Sequence, residues 1–313
     1  MRDVFSPCQS LSTKELKMLW YRQREKGSVF LLKLSFLLVK FCPNFILKPI
    51  VFLVSFVYFF FSKEERASIR AFHKNLSGKE PSNKTVFLNF YNFAISICDK
   101  IAVWIGKIKF KDIILENEKT LLEKLVFPKK GSIIIASHFG NVEVARALSD
   151  KKHSVRLAIL AHTKNMLKFN SLINQISSKK IEIFEVKDLD IQKMIELDNF
   201  LQSGGHLCIM ADRVPIDSSR VLSINFLGKD ALFPTGAFDL AYLLKCPVNL
   251  LWCIKKDGIY HVKVDEISKK IEKKEIKQNL EKYVKLLEQN CKKFPSMWFN
   301  FYDFWSKDDK KSL

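Results

Sequence analysis

Ser132-Ile133-Ile134-Ile135-Ala136-Ser137-His138-Phe139-Gly140-Asn141-Val142-Glu143 passes from an apolar run into a polar turn. It opens with a short, β-branched, apolar run that has no polar face, as expected of a strand covered on both sides in a parallel sheet. The basic break Pro128-Lys129-Lys130-Gly131 precedes it, and Val144-Ala145-Arg146-Ala147-Leu148 reads as a helix start. Strand, polar turn and helix in succession put the turn beyond the carboxyl end of a strand, where ligands collect in α/β sheets.

The turn carries a histidine five positions before a glutamate. With Gly140 between them to fold the backbone tightly, the spacing predicts that the Glu143 carboxylate returns to the His138 imidazole. A carboxylate on one ring nitrogen fixes the tautomer and makes the other nitrogen more basic, so that it can take a proton from an attacking hydroxyl. Backbone N–H groups at the helix start are expected to stabilise an oxyanion or a phosphate. His162 and His206 lack a partner at a telling spacing and read as structural.

Outward from this stretch, strands are expected near 131–137, 155–160, 181–186, 207–211, 220–226, 247–254 and 259–265. An amphipathic helix is expected over 273–293 through Ile276, Leu280, Tyr283, Leu287 and Cys291. The fold class is therefore α/β, with a mixed, mostly parallel sheet flanked by helices. The ending Pro295-Ser296-Met297-Trp298-Phe299-Asn300-Phe301-Tyr302-Asp303-Phe304-Trp305 suits either an aromatic strap over the core or a membrane interface.

From Ser28 to Phe61 the chain is almost wholly apolar, interrupted by Lys33, Lys40, Lys48, Pro43 and Pro49. Neither half reaches the roughly 20 uninterrupted apolar residues of a straight span, so two helices lying in one leaflet are as good a reading as one crossing. Residues 1–62 hold nine Lys/Arg against three acids, and Arg22, Arg24 and Lys26 before the apolar stretch favour a cytoplasmic flank. The expected division is a membrane-docking segment over 1–62 and a catalytic domain over 63–313. A buried hairpin of a soluble core is the other reading.

The 313 residues suffice for one large domain with an appendage, and no Gly/Pro/Ser-rich linker divides them. Seven scattered cysteines without C-x-x-C or Cys/His spacing argue against a disulfide framework and against a metal site, and point to a reducing compartment. Cys208, Cys246 and Cys253, in apolar runs, read as buried filler. A net charge of +19 favours a polyanionic partner. No helix-turn-helix, zinc-finger or RNA-binding signature makes that partner a nucleic acid.

His138-Phe139-Gly140-Asn141-Val142-Glu143 resembles the H-F-G-N-x-E box of the bacterial lipid A biosynthesis acyltransferases, a branch of the lysophospholipid acyltransferase superfamily with its H-x4-D/E signature. Gly204 to Arg213, Phe226 to Gly236 and Ala241 to Trp252 are similar to the family's later blocks, and the likeness covers most of residues 20–305. The resemblance implies catalytic roles for His138 and Glu143 and substrate contacts at Gly140, Asn141, Asp212, Arg213, Gly228 and Thr235. It also implies no cofactor and no metal, an acyl carrier protein thioester as donor, and a glycolipid acceptor such as a lipid A precursor of lipopolysaccharide. The place of work would be the cytoplasmic face of the bacterial inner membrane.

The alternatives are a lysophospholipid or other lipid acyltransferase, and a non-catalytic membrane-tethered protein that binds lipid or carrier. Two departures stand out. Relatives carry Asp-Gln where this chain has Asp212-Arg213, and an arginine thirty to forty residues past the histidine where it has Lys164, Lys168, Lys179 and Lys180.

Overall fold

A computed structural model describes residues 29–148, 155–161, 182–185, 190–214 and 220–305. The basic flank at 22–26, His162 and the four lysines Lys164, Lys168, Lys179 and Lys180 lie outside the described residues. Helices α1 (Val29–Phe41), α2 (Asn44–Phe61), α3 (Lys63–Ser77) and α4 (Asn83–Trp104) come first. Strands β1 (Ile113–Leu115), β2 (Ile133–Ala136), β3 (Leu157–Ala161), β4 (Glu182–Glu185) and β5 (His206–Met210) follow, with α5 (Ile191–Gln202) before β5. The hairpin β6 (Val221–Phe226) and β7 (Lys229–Pro234), α6 (Gly236–Leu243), β8 (Val248–Lys256), β9 (Ile259–Ser268) and α7 (Ile276–Lys293) complete the order.

Among the described residues, seven strands form one sheet in the order β1-β9-β8-β2-β5-β3-β4, within which only β8 and β9 pair antiparallel. The expected mixed, mostly parallel sheet flanked by helices is what the structure has. β2 is buried along its whole length. Ile133 and Ile135 face one core with α5, α6 and α7, while Ile134 faces another with Val103, Leu125 and Val144. Both faces are covered, which is why its sequence shows no alternation.

Three details differ from the sequence reading. β1 and β7 were not expected, and β6 with β7 forms a separate two-stranded sheet. That hairpin turns through Leu227 (φ 54°) and Gly228 (φ 79°), the two positive angles of a tight turn whose usual signal is Asn-Gly. A leucine in that place hides the signal. The segment after the His138 turn winds as a 3₁₀ helix over Val142–Leu148, because Asn141 is pinned at its start: its N–H goes to Cys253 O and its side-chain amide to Ser96 O, both at 2.9 Å.

Cys246 and Cys253 are buried and Cys208 partly so, and burial raises the Cys208 thiol to about 12. At the amino end of the parallel strands His206 is wholly buried, with Ser132 Oγ at 2.9 Å from Nδ1 and Leu125 O at 3.1 Å from Nε2. Asn249 donates to the same hydroxyl at 2.9 Å. Burial lowers the His206 pKa from 6.5 to about 4, so the folded state favours the neutral ring. Its contribution, roughly 3 kcal/mol in order of magnitude, is present above pH 6.5 and is lost as pH falls towards 4. Chemical denaturation at pH 7 and pH 4.5 is expected to show this fall in wild type and a smaller one in His206→Gln.

The aromatic ending is a strap over the core. Trp298 packs edge-on against Phe72, Phe226 and Phe304, with centroids 4.9 to 5.3 Å apart. In the N-terminal helices, α2 turns Leu47, Val51 and Ser55 inward and leaves Phe45, Phe52, Leu53, Phe56 and Phe60 exposed. By length and composition α2 and α4 could each cross a membrane. For α4 the packing gives a different picture: Asn89, Asn92, Ser96, Asp99, Lys100 and Trp104 lie along one face and contact the sheet domain and strap, while Ala94, Ile97, Cys98 and Ile101 pack with α1 and α2.

Candidate active site

Strand register alone brings two of the sequence-predicted residues together. β2 and β5 pair in parallel with Ala136 opposite Met210, so the positions two further on, His138 and Asp212, leave the sheet side by side. His138 Nδ1 lies 2.8 Å from Asp212 Oδ1, and the His138 backbone N–H donates to Asp212 Oδ2 at 2.8 Å. Asp212 is buried, whereas 30% of the His138 side chain is exposed.

Burial by itself would raise the Asp212 carboxyl, but the His138 contacts and the Arg213 guanidinium outweigh it and hold the group below the usual carboxylate range. An ionised carboxylate only accepts, so Nδ1 carries the ring proton and Nε2 presents a lone pair. No described residue hydrogen-bonds that nitrogen. Burial, then the Arg213 charge, keeps the imidazole pKa below 6.5 against the pull of Asp212. The ring is consequently neutral at pH 7, the state a general base requires.

Glu143 does not fill the place expected of it. The carboxylate hydrogen-bonded to His138 is that of Asp212, and Glu143 meets Lys100 Nζ and Trp104 Nε1, each at 3.2 Å. The turn explains the correction. Gly140 adopts φ +70°, where a Cβ would lie 2.2 Å from Cys253 O, and the 3₁₀ helix that follows carries residue 143 towards α4. Within the turn itself, the N–H groups of His138, Gly140 and Asn141 go to Asp212, Met297 O and Cys253 O.

Four of the residues that the resemblance assigns to substrate have defined places in the fold. Gly140 and Asn141 shape the turn, and Asn141 Nδ2 also reaches Tyr260 Oη at 3.3 Å. That hydroxyl donates to Asp99 Oδ2 at 2.7 Å, which Lys255 pairs at 2.6 Å. Gly228 sits at the β6–β7 turn, and Thr235 opens α6 with its hydroxyl 2.7 Å from Asp239. Arg213 stays beside the histidine, with Nη2 3.2 Å from Phe299 O and the guanidinium 5.6 Å from the Tyr302 ring centre.

The model of the bacterial lipid A biosynthesis acyltransferases matches residues 21–307. The chain belongs to that family. No curated protein matches it closely enough to be reported as a relative. Membership makes the chain an acyltransferase of lipid A biosynthesis, working on lipid substrates.

Sequence reasoning missed Lys100, Trp104 and Trp298 as neighbours of the site. They come from a helix some forty residues before the His138 turn and a strap some 160 residues after it, so no spacing rule could have joined them. For Asp212 the signal was available. It ends an apolar strand as His138 does, and pairing those two strands in register would have placed the carboxylate on the imidazole.

Proposed function

We propose that this acyltransferase moves a fatty-acyl group from an acyl carrier protein thioester to a hydroxyl of a membrane glycolipid, a lipid A precursor, with His138 as general base. The observation that carries the reading is the His138–Asp212 contact, which leaves Nε2 unprotonated on a side chain that is partly exposed. The acceptor oxygen attacks the thioester carbonyl while Nε2 takes the hydroxyl proton. Collapse of the tetrahedral intermediate breaks the C–S bond, and the imidazolium returns the proton to the leaving thiolate. The enzyme forms no covalent bond, and the acceptor supplies the oxygen that a serine supplies in hydrolases.

Asp212 fixes the ring tautomer and balances the imidazolium as it forms. Glu143, tied to Lys100 and Trp104, braces the His138 turn against α4. Arg213, beside the histidine, is suited to a phosphate on either substrate. The exposed aromatic face of α2 is suited to an anionic bilayer, which the net charge of +19 also favours. Together these support a location on the cytoplasmic face of the inner membrane.

The test is purified enzyme in mixed micelles, offered acyl carrier protein or coenzyme A thioesters against a lipid A precursor or a lysophospholipid, with products read by mass spectrometry. A mass gain of one acyl chain on the glycolipid with the carrier thioester is expected. Transfer to lysophospholipid alone would replace the acceptor assignment, and equal use of coenzyme A would replace the donor.

A further inference from the structure

The strap that closes the core also reaches the site. We propose that Trp298 is a positioning residue for acyl transfer, its indole N–H holding the Asp212 carboxylate in the orientation that aims His138. This rests on the reading of His138 as the base.

Asp212 accepts three hydrogen bonds. Oδ1 takes the imidazole, and Oδ2 takes both the His138 backbone N–H at 2.8 Å and Trp298 Nε1 at 3.3 Å. Trp298 is 1% exposed, so no water competes for the indole. The segment carrying it is bonded to the His138 turn from both sides: Phe139 pairs with Trp298 as an antiparallel bridge, Phe299 N donates to His138 O at 2.8 Å, and Gly140 N to Met297 O at 2.9 Å. Asn92 Nδ2 on α4 anchors the same segment at Ser296 Oγ, 2.8 Å away. Histidine, aspartate and indole thus form one chain of donors and acceptors built on three separate parts of the sequence.

An indole N–H on a carboxylate favours its ionised form and fixes which lone pairs face the ring. Without it, Asp212 is more basic, holds the imidazolium more tightly and is free to rotate. The base then works less well, and its protonated form persists to higher pH. Among the described residues, the other titratable groups around the pair are Lys100 on α4, Arg213 beyond β5, Tyr283 and Cys291 on α7, and Tyr302 on the strap. The substitution changes none of them.

The test is Trp298→Phe, which keeps an aromatic ring in the cluster and removes the donor, in full-length enzyme in lipid micelles. We expect kcat to fall about ten-fold with KM unchanged within two-fold, and the acid limb of the kcat profile to move to higher pH. Phe304→Leu, in the same aromatic cluster, should lower Tm without moving that limb. If Trp298→Phe does not fold, replacement of the indole by its benzothiophene isostere removes the N–H and preserves the shape, and the same shift is expected. A wild-type kcat and acid limb in the folded variant would overturn the proposal, as would changes matched by Phe304→Leu. A wild-type profile in Asp212→Asn would instead remove the reading of the base on which this rests.

Discussion

His138→Gln lowers acyl transfer by about 10²-fold to 10⁴-fold, the range for loss of a positioned general base, while the protein keeps its fold. Glutamine can still donate an amide hydrogen to Asp212, so the buried carboxylate is not left without a partner. Its amide has no basic nitrogen to receive the acceptor's proton. The side chain at 138 is 30% exposed, which limits the packing lost. Initial rates with saturating thioester and glycolipid, beside a thermal melt, check this. An unchanged rate in folded protein would remove His138 from the mechanism.

Asp212→Asn is expected to be nearly as damaging although the two side chains have the same shape. The His138 backbone N–H still needs an acceptor, so the asparagine oxygen stays at the Oδ2 position and its NH₂ turns to the ring. Nδ1 must then accept, the ring proton moves to Nε2, and the lone pair that serves the hydroxyl is gone. A tautomer inverted in this way costs about 10²-fold to 10⁴-fold, by analogy with the same change in a serine-protease triad. Loss of the negative charge also removes what supports the imidazolium, so any residual activity should persist to lower pH than in wild type. Rates across pH 5 to 9 read both effects.

The fold was largely legible because the chemistry that encodes it is local. The apolar run of β2, the alternation of Tyr260, Val262 and Val264 in β9, and the apolar stripe of α7 each follow from a period of the chain. β7 was hidden because Leu227 and Gly228 make a tight turn without its usual residues. β1, only three residues long, has too few positions to show a pattern.

The site was legible in its parts but not in its pairing. His138, Glu143, Asp212 and Arg213 were all singled out, and proximity in sequence suggested the wrong carboxylate for the imidazole. A five-residue spacing is compatible with contact only if the turn directs residue 143 back to the ring. The positive φ of Gly140 and the anchoring of Asn141 between β8 and α4 direct it to Lys100 instead. Asp212, 74 residues away from His138 in the chain, arrives through strand register. Register depends on which strands pair, and that is a property of the whole sheet.

A double-mutant cycle between His138→Gln and Asp212→Asn measures the coupling between imidazole and carboxylate. If the two act as one base, removing the second after the first costs little more, and the double variant should retain activity within a few-fold of His138→Gln alone. The same cycle with Glu143→Gln in place of Asp212→Asn should give losses that multiply, because Glu143 braces the turn and does not hold the ring. Multiplied losses for His138 with Asp212, together with non-additive losses for His138 with Glu143, would contradict the account and return the catalytic carboxylate to Glu143.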